Sequence, residues 1–384
     1  MTNGVKNVPE LRFPEFDGGW EEKQLSTILE IGTGKSKVQS NESGKYNILG
    51  STGIIGKSHT YDYEGDFILT ARVGHYAGKL YKHAGKVNIS DNTIYLFNFI
   101  NKNFIYESLN VFKLEKLVFG SGQPLIKASD LKKLKIRVPV SKEQKKIGVF
   151  FSKLDRQIEL EEQKLAKLEE QKKGYMQKIF SQELRFKDEN GNDYPNWIFE
   201  ELNNIFTKYQ NTIYLHDNEE YKRISISNKG KITHRDITFG KTIGRKRQYL
   251  IDLKKHPNTL TFIRQGVFLG GIGFIPISLD GYIVTENMPL LSMSEEYSKK
   301  FMTYLFSSES YYKSVIFKNL PTGSAQKALH EKDWLKSFVN IPVYSEQEKI
   351  GNFFEKQDNL IKKQSDKVEL LKERKKGFLQ KMFV

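Results

Sequence analysis

The chain has 384 residues, and 61 Lys and Arg against 46 Asp and Glu give it a net charge of +15. This length predicts more than one domain. The absence of cysteine excludes disulfides, thiolate metal sites and a cysteine nucleophile, and it is typical of proteins in a reducing cytoplasm. Because no apolar run is long enough to span a membrane, we expect a cytoplasmic protein with no membrane partner.

The stretch GSTGIIGKS at residues 50–58 comes close to a phosphate-binding loop. That motif needs a glycine five residues before Gly56, and Ser51 stands there instead. The residues that follow favour β-strands over the long helix that the motif requires. The stretch therefore predicts a glycine turn between short strands.

Two segments mix basic, aromatic and amide side chains, as DNA-binding loops do. In TARVGHYAGKLYKH, residues 70–83, the candidates are Arg72, His75, Tyr76 and Lys79. In SNKGKITHRDITFGKTIGRKRQY, residues 227–249, they are Asn228, Arg235, Arg245, Lys246, Arg247, Gln248 and Tyr249. Arginine binds phosphate or guanine, and amides bind adenine, so both segments predict contacts with DNA. A charged, solvated loop is the alternative for each residue taken singly.

An internal repeat organises the chain. PVSKEQKKIGVFFSKL at 139–154 returns as PVYSEQEKIGNFFEKQ at 342–357, and KKGYMQKIF at 172–180 returns as KKGFLQKMF at 375–383, both at an offset of 203. A Gly-Ser-x-Gln segment precedes each copy, and ELRF occurs at 10–13 and 183–186. Between these anchors the copies share little beyond β-type runs punctuated by glycine. The chain therefore contains two copies of one unit, a globular segment followed by a helix.

The two helices carry a coiled-coil pattern. In the first, apolar residues recur at alternating spacings of four and three from Ile147 to Ile179, and the second keeps the same phase. An antiparallel pair with pseudo-two-fold symmetry would bury both apolar seams. It could serve as a spacer between two domains, with a plain stabilising hairpin as the alternative. We expect Phe150 and Phe353 to be core, and the aromatic residues at the helix ends to be available to partners.

These observations predict an α+β fold of two similar mixed α/β domains, joined by two long antiparallel helices that form a coiled coil. The predicted segments are a first globular domain at 1–140, a spacer helix at 141–182, a second globular domain at 183–342 and a second spacer helix at 343–384.

Motifs for catalysis are not found in the sequence. It contains no G-x-S-x-G elbow, no H-E-x-x-H, and no histidines at metal-ligand spacing. TENMPL at 285–290 lacks the second proline and the aromatic residue of an amino-methyltransferase loop, so it predicts a strand entry. We therefore expect a non-catalytic protein with no metal site.

The pattern P-V-x-x-E-Q-x-x-I-G-x-F-F, twice in one chain after Gly-Ser-x-Gln, resembles the specificity subunits of type I restriction-modification systems. The opening PELRFPEFDGGWEEKQL and the turns of GSTGIIGKS are similar to that family as well. The resemblance implies two target-recognition domains, each reading half of a bipartite site on double-stranded DNA, with the helices as a ruler.

The resemblance also implies partners and cofactors. The partners are two modification subunits, which bind S-adenosylmethionine and methylate adenine, and restriction subunits, which use ATP and Mg²⁺; this chain itself holds no cofactor. Docking of the modification subunits is then expected at the helix starts, on Glu143, Gln144, Ile147, Phe151, Glu346, Gln347, Ile350 and Phe354.

The predicted function is DNA recognition and complex assembly. The predicted DNA-binding set is completed by residues in or next to the Gly-Ser-x-Gln stretches and by two further basic residues, Lys35 and Arg223. The residues at the stretches are Ser121, Gln123, Ser324, Gln326 and Lys327. A two-domain scaffold that binds only protein is the first alternative. A DNA-modifying enzyme with unrecognised motifs is the second.

Overall fold

The computed structural model describes residues 7–120, 123–320 and 328–384. The chain divides into two compact units, Met1–Gln163 with Ser365–Val384, and Lys164–Gln364. Each long helix belongs in part to both units, so the units cut across the segments drawn from the sequence. Helices and sheets are mixed in both units, which confirms the predicted α+β class.

The elements of the first unit follow in chain order. They are β1 Glu21–Gln24, α1 Leu25–Ile28, β2 Glu30–Thr33, β3 Tyr46–Gly50, β4 Gly53–Ser58, β5 Tyr63–Ala71, β6 Leu80–Ile89, β7 Thr93–Phe97, α2 Lys102–Phe112, α3 Ala128–Lys133, β8 Lys135–Val138 and the start of the long helix α4 Ser141–Phe180. The main sheet has the order β2-β7-β5-β6-β3-β4, and β1 pairs with β8. The antiparallel hairpin of β3 and β4 confirms the glycine turn predicted for GSTGIIGKS.

The second unit begins with the remainder of α4. Its further elements are β9 Ile198–Glu201, α5 Leu202–Ile205, β10 Phe206–Tyr209, β11 Thr212–Tyr214, β12 Glu220–Ile226, β13 Ile232–Phe239, β14 Arg247–Leu250, β15 Thr259–Phe262, β16 Ile272–Phe274, β17 Ile283–Val284, β18 Leu290–Met293, α6 Lys299–Ser307, α7 Glu309–Tyr311, α8 Glu331–Leu335, β19 Phe338–Ile341 and the long helix α9 Tyr344–Met382. TENMPL leads into β18, as predicted.

The units share a strand order that the sequence did not reveal. The order β2-β7-β5-β6 of the first unit corresponds to β10-β18-β15-β16 of the second, and the ladder β1–β8 corresponds to β9–β19. Beyond this common part, the first unit extends its sheet with β3 and β4. The second unit instead builds a separate sheet of order β11-β14-β17-β12-β13. The repeat therefore extends through the segments in which the sequences are dissimilar.

Strand β5 shows why the first unit has apolar clusters on both faces of its sheet. Successive side chains of a strand point to opposite faces. Ile68 packs into the cluster that includes the helices, whereas Phe67 and Leu69 pack into a second cluster across the sheet. The second half of the strand, Phe67–Ala71, is therefore buried throughout.

Inside the first unit, the start of α4 packs antiparallel against the end of α9. Leu154, Ile158 and Leu371 form a buried cluster, and the Phe150 ring meets the Phe378 ring edge to face at 5.1 Å between centroids. This packing confirms the predicted apolar seam and the core role of Phe150.

The second unit pairs the end of α4 with the start of α9 in the same way. The rings of Phe180 and Phe354 are stacked at 6.1 Å, and Tyr175 meets Phe353 edge to face at 5.2 Å. Phe180 and Phe383 are both buried. The expectation that the aromatic residues at the helix ends remain available to partners is therefore wrong for these two, because they complete the cores of their own units.

Gly351 lets the helix α9 approach the rest of the second unit closely. A Cβ on Gly351 of α9 would lie 2.6 Å from the Cβ of Lys300 and 3.0 Å from the amide nitrogen of Phe301. Around Gly174 of α4, in the same unit, no heavy atom of the described structure lies within 4 Å of such a Cβ. The two glycines therefore differ in what a methyl group would meet.

We predict that Gly351→Ala destabilises the protein by about 1–3 kcal/mol, because the added methyl overpacks the contact with α6. Gly174→Ala is the matched control and should stabilise by up to ~1 kcal/mol, because alanine is the better helix former. Chemical denaturation of the full chain measures both. Equal effects of the two substitutions would contradict the close contact at Gly351.

Candidate DNA interface and helix joints

A buried ion pair fastens the start of α4 to the first unit. The Glu143 carboxylate is fully buried, and the Arg12 guanidinium donates to both of its oxygens at 2.7 Å. Arg12 also donates to the carbonyls of Asp17 and Gly18. The arginine of the first ELRF therefore ties the segment before β1 to the helix start.

The second unit repeats this joint. Arg185, from the second ELRF, donates to the two carboxylate oxygens of Glu346 at 3.2 and 2.6 Å. The indole nitrogen of Trp197 donates to the same carboxylate at 3.2 Å. A buried carboxylate needs such compensation, because removing an unpaired charge from water is costly.

The other repeated residues of the helix starts serve the same joints. Gln144 and Gln347 each donate a side-chain hydrogen bond of 2.9 Å to the carbonyl of the proline five residues before. The predicted docking residues have between 0 and 6% of their surface exposed: Glu143, Gln144, Ile147, Phe151, Glu346, Gln347, Ile350 and Phe354. The docking prediction for these eight residues is corrected, since their side chains are used within their own units.

An equivalent ion pair joins the two helices in each unit. Lys375 of α9 bonds Asp155 of α4 at 2.6 Å in the first unit. Lys172 of α4 bonds Asp358 of α9 at 2.5 Å in the second. Each of these two lysines is therefore paired with an aspartate of the opposite helix.

In each unit a third side chain binds this ion pair. It comes from α2 in the first unit and from α6 in the second, and the residue type differs. In the first unit the buried Glu107 accepts from Lys375 at 3.0 Å, and desolvation raises the pKa of Glu107. In the second, Tyr304 donates to Asp358 at 2.7 Å, and burial raises the pKa of Tyr304.

Three segments of the first unit meet at one edge, which we call the first loop edge: residues 72–78, residues 90–92, and residues 119–120 with 123–125. The amide of Arg72 donates to the carbonyl of Asn92 at 2.8 Å, and the carbonyl of Arg72 accepts from Ile126 at 2.9 Å. The amide of Gly74 donates to the Pro124 carbonyl at 2.8 Å. The structure thus brings the predicted Arg72 loop next to Pro124, the residue that follows the Gly-Ser-x-Gln segment.

The second loop edge consists of residues 264–270, 285–287 and 328–329, and it repeats the two backbone bonds of the arginine. The amide of Arg264 donates to the Asn287 carbonyl at 3.0 Å, and the Arg264 carbonyl accepts from Leu329 at 2.9 Å. Arg264 was missed from the sequence. The signal was R-x-G-x-x-x-G, which occurs at 72–78 and again at 264–270.

The last glycine of each motif is required by the backbone. Gly78 has φ +84° and Gly270 has φ +107°, in the left-handed region that L residues rarely adopt. A Cβ on Gly270 would lie 1.7 Å from the Asn228 carbonyl oxygen. The loop therefore packs against the turn that carries Asn228, which brings this predicted residue to the second loop edge.

The candidates of the first unit that fall on described residues are exposed. They are Lys35, Arg72, His75, Tyr76, Lys79 and Gln123. The Lys79 ammonium lies 4.9 Å from the centre of the Tyr76 ring, and His75 meets that ring edge to face. Ser121, Ser324, Gln326 and Lys327 lie outside the described residues.

The basic candidates of the second unit that the structure describes are held in ion pairs. Arg223 binds Asp236 through two bonds of 2.7 Å, and Arg235 lies 3.5 Å from the same carboxylate. Arg245 and Arg247 both pair with Glu286, in the loop at 285–287, and Lys246 pairs with Asp217. Arg245, Arg247 and Asn228 therefore gather at the second loop edge, whereas Arg223 and Arg235 lie on the β12–β13 hairpin.

Two candidates on β14 are buried. Gln248 is 2% exposed and donates to the Arg245 carbonyl at 2.7 Å. Tyr249 is 6% exposed and packs with Ile251 and Leu290. The prediction that they contact DNA is corrected, because both side chains are buried within the protein.

In the described ranges, no group of three or more His, Asp or Glu side chains could hold a metal ion. Within the same ranges, no helix is both long enough and apolar enough to cross a membrane.

We predict that Arg12→Ala destabilises the first unit by about 3–5 kcal/mol, because Glu143 is left buried without its partner. Hydrogen exchange on the full chain would localise the loss. Replacing both residues, Arg12→Met with Glu143→Met, should recover much of it, since no charge is then buried. A stable Arg12→Ala chain that fails to assemble with partners would restore docking as the role of this pair.

Comparisons with known proteins agree with this architecture. The family model described as type I restriction modification DNA specificity domain matches residues 17–170. The S subunit of a type I restriction-modification system from M. genitalium shares the fold with a TM-score of 0.63 at 16% identity, over 98% of this chain and 99% of that chain. A chain from a structure on complex assembly and conformational transition of the type I R-M system matches with a TM-score of 0.55 at 13% identity, over 96% and 98%. Residues 17–170 therefore match a DNA specificity domain of the type I restriction-modification class, and the chain shares the fold of the S subunit.

Proposed function

We propose that each unit reads one half of a bipartite site on double-stranded DNA through its loop edge. The observation that carries this proposal is the repetition of the edge, with an arginine held by the same backbone bonds in both units. The side chains around those arginines differ between the edges, which favours two half-sites of different sequence.

The charges at the edges suit a polyanion. Arg72, Lys79 and Lys35 are exposed in the first unit. In the second unit, Arg245 and Arg247 are exposed although both pair with Glu286. Exposed ion pairs contribute little to stability, so a DNA phosphate can take over these guanidinium groups. Each phosphate neutralised releases counterions, which strengthens binding at low salt.

The long helices are proposed to set the gap between the half-sites and to carry the modification subunits. A helix of 40 residues, such as α4, is about 60 Å long. Since the repeated residues of the helix starts are buried, docking is assigned to the outward faces. Val149, Leu160 and Leu370 are exposed apolar residues there, with 44 to 64% of their surface accessible.

The chain itself is proposed to be non-catalytic and to act in the cytoplasm. Its sequence lacks the motifs of a methyltransferase or nuclease. S-adenosylmethionine is then bound by two modification subunits, and ATP and Mg²⁺ by restriction subunits of the same complex. The division of labour leaves recognition and assembly to this chain.

The experiment is a map of adenine methylation in a methylation-free host that expresses the chain with matched modification subunits. The control expresses the modification subunits alone. A new bipartite motif with a fixed gap is expected. An assembled complex that adds no new motif would overturn the recognition role. Replacing residues 1–140 by those of a related chain should change one half of the motif only.

We predict that four residues inserted after Gln163, together with four after Gln364, lengthen the gap by one to three base pairs. These are the points at which the two units divide. Four helical residues add about 6 Å, close to two base-pair steps of 3.4 Å. Methylation mapping reads the gap directly.

The control carries the insertion in α4 alone, which shifts one seam against the other and should impair assembly. An unchanged gap in the double insertion, with methylation retained, would show that the helices are not the ruler.

A further inference from the structure

Arg72 and Arg264 occupy the same place in the two units but end in different surroundings. Each follows the central strand of the shared order, β5 or β15, and each donates its amide to an asparagine carbonyl. Each also accepts a backbone bond from the residue two positions before a short helix, Ile126 before α3 and Leu329 before α8. The backbone is therefore matched on both sides of the arginine.

The Arg264 side chain is held by a carboxylate. Its Nε and Nη2 donate to Glu331 at 2.9 and 2.5 Å, and Lys208 donates to the same carboxylate at 2.5 Å. Glu331 is 3% exposed. Although burial opposes its ionisation, the bonds from Lys208 and Arg264 hold the pKa of Glu331 below its ordinary value. The guanidinium of Arg264 is thus part of a compensated, largely buried group.

The Arg72 side chain lacks this partner. Position 331 is the first residue of α8, and the corresponding first residue of α3 is Ala128. Across the described residues, no ion pair to Arg72 is formed, and its side chain is exposed. Because the backbone of Arg72 is bonded on both sides, the point from which the side chain extends is already fixed before DNA binds. This lowers the conformational entropy lost on binding.

We propose that Arg72 is a DNA contact of the first unit and that Arg264 is a structural residue of the second. The first residue of the following short helix decides the role: Ala128 leaves Arg72 available to DNA, whereas Glu331 holds Arg264. This inference rests on the proposed function. The ligand is an anionic or acceptor group of DNA, a phosphate oxygen or a guanine edge, which are the two groups that a guanidinium binds through paired donors.

The test compares variants of the full chain in its complex with modification subunits, bound to the methylation site over a range of salt. Arg72→Ala should weaken binding roughly tenfold, as expected when one guanidinium contact is lost. Ala128→Glu should do the same by supplying the carboxylate that Arg264 already has. Ala128→Gln is the matched control, of similar size but without charge, and should bind as the unmodified chain does.

The double variant Arg72→Ala with Ala128→Glu should lose no more affinity than either change alone, because both act on one guanidinium. A phosphate contact would reduce the salt slope by about one unit, whereas a guanine contact would instead relax the preference at one base position. Arg264→Ala should leave the salt slope and the base preferences unchanged, since Lys208 still compensates Glu331.

Full affinity of Arg72→Ala would overturn the proposal, as would independent losses in the double variant. A reduced salt slope in Arg264→Ala would overturn its structural role. A complex of the unmodified chain that binds no DNA would instead overturn the proposed function on which this inference rests.

Discussion

The buried arginine–glutamate pair at each helix joint is the interaction on which the arrangement of this protein depends. A carboxylate without solvent is tolerated only when donors surround it in good geometry. The pairs Arg12–Glu143 and Arg185–Glu346 supply that geometry with two bonds each. Each pair connects the segment before a domain to the start of the helix that follows that domain. Breaking such a buried pair is strongly destabilising, so it fixes the direction in which the helix leaves its domain.

The joint explains which parts of the repeat have kept their residues and which have changed. At the joint, one residue meets chain segments that are distant in sequence, so a substitution would disturb several contacts at once. The β1–β8 ladder shows the opposite case. Its outer face carries the ion pair Glu22–Lys135 in the first unit, where the second has the exposed ring pair Phe199–Phe338. The backbone ladder is retained while its solvent face is free to vary.

Because exposed side chains vary while the backbone is shared, the charges at the two loop edges also differ. In the second unit the basic side chains near the loop edge are balanced by Glu286 and Glu331. At the first loop edge the corresponding arginine is exposed, because alanine stands where the second unit has a glutamate. A count of basic residues does not reveal this difference, since availability to a phosphate depends on the partner that each cation already has.

The sequence by itself determined the duplication, the two long helices, the α+β class and the resemblance to type I specificity subunits. These features are written in local patterns: a repeat at constant offset, an apolar period of a helix, and a motif at the start of that helix. The glycine turn at 50–58 was likewise predictable, because turn residues act over a few positions.

Only the tertiary structure decided which of the chosen side chains face outward. Glu143 and Arg12 are 131 residues apart, and Glu346 and Arg185 are 161 apart, so no local pattern marks them as partners. Gln248 and Tyr249 lie in a basic segment and were predicted to contact DNA, but both side chains are buried and cannot reach it. The correspondence of Arg264 to Arg72 became evident from shared backbone bonds, since the surrounding residues differ. Burial and pairing are properties of contacts between distant segments, and for that reason they were fixed by the fold and could not be predicted from the sequence.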